Sequence, residues 1–188
     1  MTIEYRQMTS DECKLIKDLN PSRFIKRSWR KIKGNYQWVI LNHKDKDYPE
    51  GKENHFAQLN ATFKNGGFAV GAFDEKILVG FCSVNNEFFG NHNKYLLLDQ
   101  LFVANTYQDR GIGKKLFYLA AENAIKLKAD KLYICSASSE DTLGFYKSLG
   151  CIEATEVNIS LLMHDKNDIQ MEYDLHKNNP CDVSCAIL

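Results

Sequence analysis

The sequence predicts a mixed α/β domain, and three observations carry that prediction. Residues 95–135 read as an apolar strand, a glycine turn, an amphipathic helix and a second strand. The right-handed crossover rule makes the two strands of such a β–α–β unit parallel. Apolar runs of strand length at 3–8, 68–73, 77–89, 154–162 and 168–175 surround the unit, with helical patterns between them. The chain has 188 residues, enough for one domain with a full core, and no internal repeat. One domain over 1–175 and a tail over 176–188 are expected.

Taken in order, Ile3 to Met8 reads as the first strand. Thr9 or Ser10 can cap a helix carrying Cys13, Leu15, Ile16 and Leu19, which stops near Pro21. Arg23 to Lys33 holds six basic residues and no acidic one, the pattern of a solvated helix face. The alternative for this run is a guide for an anionic ligand. His43 to His55 is polar, with Pro49 and Gly51, and reads as a loop; Asn54 to Asn65 fits a helix. Phe68 to Phe73 and Ile77 to Phe89 read as strands turning at Asp74-Glu75, with a tight entry or a bulge marked by Gly66, Gly67 and Gly71. Tyr95 to Val103 is the next strand. Leu116, Leu119, Ala120, Asn123, Ala124 and Leu127 recur at helical spacing, with lysines and Glu122 opposite. Ala129-Asp130 closes that helix before the strand Lys131 to Cys135, and Ala154 to Leu162 and Asp168 to Leu175 read as a closing pair of strands. The order is β–α–α–β–β–β–α–β–α–β–β.

The turn at 108–114 carries the chemistry. Gly111 and Gly113 let a ligand approach the backbone, and successive N–H groups there add to the positive end of the following helix. Arg110, Lys114 and Lys115 bring positive charge to the same place. A phosphorylated ligand is expected at this turn. The chain lacks the Gly-x-x-x-x-Gly-Lys-Ser/Thr loop of nucleoside triphosphate sites. The dinucleotide fingerprint does not fit either, because the turn follows several strands and holds Gln108 and Arg110.

Gln108-Asp109-Arg110-Gly111-Ile112-Gly113 resembles the Gln/Arg-x-x-Gly-x-Gly/Ala signature of the GNAT superfamily of N-acetyltransferases. Leu98-x-x-Leu101-x-Val103 is similar to that family's fourth strand, and Phe145-Tyr146-Lys147-Ser148-Leu149-Gly150-Cys151 to its Phe-Tyr-x-x-x-Gly-Phe segment. The resemblance implies a mostly antiparallel, splayed sheet with helices on both faces. It also implies acetyl-coenzyme A as cosubstrate and a primary amine of a small molecule or peptide as acceptor. Backbone groups of Leu101, Phe102 and Val103 would hold the acyl arm and polarise the thioester carbonyl. Gln108, Asp109, Arg110, Gly111, Ile112, Gly113 and Lys114 would hold the pyrophosphate. Tyr146 would contact the cofactor and protonate the leaving thiolate, since a tyrosine stays protonated at neutral pH.

Two departures from the pattern matter. Where many members carry a strand glutamate this chain has Leu97, so Asp99, on the same strand face, is the candidate base. Glu87, His92 or an ordered water are alternatives. Where members carry asparagine before the last helix, Ser138 or Ser139 can bind the cofactor or merely cap the helix. A coenzyme A-binding sensor without turnover is the rival reading, and an unrelated nucleotide-binding α/β protein a third.

The 24 basic and 24 acidic residues balance, which argues against nucleic acid as partner. No run spans a bilayer and no secretory signal opens the chain, so a cytoplasmic protein, monomeric or homodimeric, is expected. None of the six cysteines forms a Cys-x-x-Cys pair, which favours reduced thiols and no metal site. Cys185-Ala186-Ile187-Leu188 matches a prenylation pattern but lacks an adjoining polybasic run, so no membrane attachment is expected.

Overall fold

The computed structural model describes residues 2–177, and the Cys185–Leu188 pattern lies outside them. Nine strands and four α-helices follow in the order β1 (Ile3–Gln7), β2 (Arg23–Ile32), β3 (Asn35–Asp45), α1 (Lys52–Lys64), β4 (Phe68–Asp74), β5 (Ile77–Val84), β6 (Tyr95–Val103), α2 (Ile112–Lys126), β7 (Lys131–Ser136), α3 (Glu140–Ser148), β8 (Ile152–Glu153), α4 (Ile159–His164) and β9 (Ile169–Asp174). A 3-10 helix, Ser10–Lys17, fills the place of the first expected helix. At its start the Glu12 carboxylate accepts the Thr9 N–H at 2.9 Å and pairs with Arg6 at 2.6 Å.

Seven strands form one sheet in the order β1-β4-β5-β6-β7-β9-β8. Only β6 and β7 run parallel; every other neighbouring pair is antiparallel. One face packs against α2 and α3 around Leu116, Phe117, Ala120, Leu143 and Tyr146. The other packs against the 3-10 helix and α1 around Ile16, Leu59, Phe73 and Phe81. The mixed, mostly antiparallel sheet with helices on both faces is therefore present.

The parallel pair determines where the site forms. Its register runs from Tyr95↔Lys131 to Leu98↔Ile134 and stops there, although β6 continues to Val103. Beyond Leu98, β5 is the only strand paired with β6 among the described residues, so the other backbone edge opens into a gap. A buried network pins the strands at the closed end. Glu172 of β9 accepts from Lys131 Nζ at 2.7 Å, Tyr95 Oη at 2.7 Å and the Thr155 N–H at 2.9 Å.

Four sequence expectations need correction. Arg23 to Lys33 is no helix: Arg23–Ile32 is β2, paired with β3 in a separate two-stranded sheet. Lys33 and Gly34, at φ 49 and 87, make the two-residue turn whose twist suits a hairpin. The loop predicted over His43 to His55 is shorter, because β3 runs to Asp45 and α1 starts at Lys52. The strand from Ile77 ends at Val84, not Phe89. Ala154 to Leu162 is not a strand either; Ile159–His164 is helical, with Asn158 Oδ1 accepting the Leu161 N–H at 3.1 Å as a cap. Only the two residues of β8 pair with β9 in its stead.

Candidate active site

The gap beside β6 holds two cavities that meet. The first, of about 400 Å³, is lined by Leu97 to Val103 on β6 and by Cys135, Tyr146 and Asp168, among others. The second, of about 810 Å³, is lined by the turn after β6, the start of α2 and the face of α3. Arg23, Leu101, Val103, Gln108, Thr142 and Tyr146 line both.

Leu101, Phe102 and Val103 are half-exposed along the unpaired edge, as an extended ligand would require. Gly111 sits at φ +78, a left-handed conformation that disfavours side chains, and a Cβ built there meets nothing within 4 Å. The backbone is thus open to a ligand at this point. A Cβ built on Gly113 would meet the Phe145 ring at 3.5 Å. The N–H groups of Ile112, Gly113 and Lys114 open α2 without intrahelical partners, since Lys115 makes the first bond back, to the Gly111 carbonyl at 3.0 Å. Asp109, at φ 59, shapes the same turn. Arg110 lies over the Tyr107 ring at 5.2 Å and Lys114 over Tyr118 at 5.9 Å. Gln108 has a bracing position: its Nε2 donates to the Val103 carbonyl at 3.1 Å.

Tyr146 is buried among Phe117, Phe145 and Leu149, and its phenol makes no hydrogen bond among the described residues. Burial raises its pKa, with Cys151 and Cys82 adding to the effect, so the hydroxyl stays protonated. Ser138 is not brought to the cavities. It is buried under β2, its carbonyl accepting the Trp29 N–H at 2.8 Å and its hydroxyl held by Arg30. Ser139 is the residue at the cap of α3.

Asp99 does reach the first cavity. A bulge between Ser83 and Val84 turns both Asp99 and Gln100 toward α1. Burial raises the Asp99 pKa against the pull of Gln100, His55 and Thr62, whose hydroxyl lies 3.5 Å from the carboxylate. Glu87 and His92 stay on exposed segments after β5 and do not line the cavity. His55 lines it, but both ring nitrogens are engaged: Nδ1 with Gln100 Oε1 at 3.0 Å and Nε2 with the Pro49 carbonyl at 2.7 Å. The Gln100 orientation is set by its Nε2 donating to the His55 carbonyl at 3.3 Å.

The other acidic groups carry no signal in the sequence. Asp45, Asp47, Glu50, Asp165 and Asp168 join Asp99 around this cavity, against Arg23 alone among lysines and arginines. Arg23 itself pairs with Asp45 at 3.4 Å. The second cavity is more balanced, with Arg23, shared with the first, and Lys114 beside Asp109 and Asp141. One half of the gap is acidic and the other holds the glycine turn and the start of α2. Cys135 stands in the acidic half, where burial first, then Asp168 and Asp99, push its thiol up to about 12; it is a protonated donor to Gln170 Oε1 at 3.2 Å. A thiol in that state is a poor nucleophile. The four cysteines among the described residues are all free.

The model of the Acetyltransferase (GNAT) family matches residues 35–151, more than half of the sequence. The chain belongs to the GNAT acetyltransferase family. Among solved structures, nourseothricin acetyltransferase superposes with a TM-score of 0.70 at 16% identity, covering 93% of this chain and 99% of that one. A candidate streptothricin acetyltransferase of Bacillus anthracis str. Ames, in complex with acetyl coenzyme A, gives 0.65 at 12%, covering 92% and 99%. The PaiA N-acetyltransferase of Thermoplasma acidophilum, in complex with coenzyme A, gives 0.58 at 18%, covering 93% and 99%. At these identities the likeness is one of fold. No curated protein matches the sequence. Acetyl-coenzyme A fits the residues of this GNAT chain: an open strand edge for the arm and an uncluttered Gly111 before α2 for the pyrophosphate. No helix among the described residues is long and apolar enough to cross a membrane.

Proposed function

We propose that this GNAT protein transfers the acetyl group of acetyl-coenzyme A to a primary amine whose carrier bears a second positive charge. One observation supports the reading above all: the cavity that meets the unpaired β6 edge at Tyr146 is ringed by six carboxylates and one arginine. An acidic, partly desolvated pocket draws cations in and holds them.

Acetyl-coenzyme A supplies the thioester, and the chain supplies the rest. The backbone edge of Leu101 to Val103, which pairs with no second strand among the described residues, aligns the arm as an added strand. A backbone N–H on that edge stabilises negative charge growing on the carbonyl oxygen. The start of α2, with Arg110 and Lys114, holds the pyrophosphate. Tyr146 gives its proton to the departing sulfur. Protonation of Cys135 favours direct attack by the amine over an acyl-cysteine step.

Purified protein with acetyl-coenzyme A and a panel of 1,4-diaminobutane, lysine amide and n-butylamine tests this. The expected result is thiol release matched by amide, with kcat/KM for the diamine at least about tenfold above butylamine. The preference should shrink as salt rises, because screening weakens charge recognition. Equal rates for diamine and monoamine would remove the acidic cavity from substrate choice.

A further inference from the structure

We propose that Asp168, at the entry to β9, is the general base that takes a proton from the acceptor's ammonium group. The inference rests on the acetyl-transfer reading above. The family pattern leaves the base open here, because Leu97 occupies the place of the strand glutamate.

Three groups in the cavity compete for the role, and the structure separates them. His55 is held at both ring nitrogens by Gln100 and by the Pro49 carbonyl, so neither nitrogen faces a substrate with a free lone pair. Asp99 also lines the cavity, but its carboxylate is engaged on the α1 side, by Gln100 and by the Thr62 hydroxyl at 3.5 Å. Asp168 is half-buried, lines the same cavity as Tyr146, and its carboxylate accepts no hydrogen bond among the described residues. Its backbone is fixed by the Asp168 N–H donating to the Asp165 carbonyl at 3.2 Å, just before β9 pairs with β7. A held carboxylate with open lone pairs, on the same cavity as the proton donor, is what a base requires.

The charged surroundings suit the task. Asp165 and His164 face Asp168 from the end of α4, Arg23 and Arg30 from β2, Cys135 from β7 and Tyr146 from α3. Burial first, then Asp165, raise the carboxyl to about 6, opposed by Arg30, His164 and Arg23. Such a group is ionised at neutral pH yet basic enough to take a proton from an ammonium ion brought against it.

The protons balance as follows. The ammonium nitrogen gives one proton to Asp168, which passes it to solvent. The neutral amine then forms the C–N bond as the C–S bond breaks. Tyr146 protonates the sulfur, and the remaining surplus proton on nitrogen restores the phenol. The products are amide, thiol and one released proton.

The test is the pH profile of kcat for wild type, Asp168→Asn and Asp168→Glu, with the fastest amine of the panel named above. Wild-type turnover should fall as pH drops through about 6, where Asp168 takes up its proton. Asp168→Asn should lose about 100-fold in kcat together with that acid limb, at unchanged KM for acetyl-coenzyme A. Asp168→Glu should restore part of the rate and the limb, which a merely structural role would not do. An asparagine variant that keeps wild-type kcat, or keeps the acid limb, overturns the proposal. So does loss of the limb in Asp99→Asn alone. Wild type that forms no amide from any panel amine overturns the acetyl-transfer reading along with it.

Discussion

Tyr146→Phe is expected to lower kcat about 100-fold while leaving acetyl-coenzyme A affinity unchanged. The ring is held by packing, with its centroid 5.1 Å from Phe145 and 6.1 Å from Phe117, so phenylalanine fits the same space. The substitution therefore removes a hydroxyl and little else. That hydroxyl has no protein partner among the described residues, and Tyr146 lines both cavities. Burial keeps it protonated across the working range, so it can donate at any pH near neutral. Steady-state turnover beside calorimetric titration of the cofactor separates the outcomes. Unchanged kcat would remove Tyr146 from the proton path; weakened affinity would make it a binding residue instead.

Glu172→Ala is expected to cost about 3 kcal/mol of folding stability, read from denaturant unfolding. The carboxylate is buried and gathers Lys131, Tyr95 and Thr155 at the closed end of the β6–β7 pair. Its loss strands a mostly buried ammonium on Lys131 and leaves the Tyr95 hydroxyl and the Thr155 N–H and hydroxyl unmatched. Burial alone would raise the Glu172 pKa, but the bonds from Lys131, Tyr95 and Thr155 outweigh it and leave it below its ordinary 4.5. A carboxyl lowered by folding stabilises the fold fully above its ordinary pKa and loses that contribution as pH falls through the folded one. Wild type should therefore lose stability below about pH 4.5 through this group, and Glu172→Gln should lose less over the same range. Equal acid sensitivity in both would show that the network does not hold the strand pair together.

The sequence announces the donor half of the site because its signals are local. Tyr95–Val103 is a strand with the expected ends, and Gly111 opens α2 as the turn chemistry requires. The acceptor half is assembled by topology. Asp168 reaches the cavity because β9 inserts between β7 and β8, which no spacing in the chain reveals. The β2–β3 hairpin was concealed by its charges. Arg27 is held by Glu140 and Arg23 by Asp45, so residues that suggest a solvated helix are tied down in a strand. The Lys33-Gly34 pair, followed by Tyr36 and Trp38 in alternation, was the legible clue. Ile159–His164 is too short for its period to separate helix from strand, and the cap Asn158 was the only signal.

The central claim is that this cavity moves an acetyl group rather than merely holding its carrier. A single-turnover experiment tests it: protein preloaded with one equivalent of acetyl-coenzyme A is mixed with 1,4-diaminobutane and followed by mass spectrometry. Acetylated diamine should appear as the thioester disappears, with no acetyl group left on the protein. Bound acetyl-coenzyme A that stays intact in the presence of the diamine would contradict the account and make the protein a sensor.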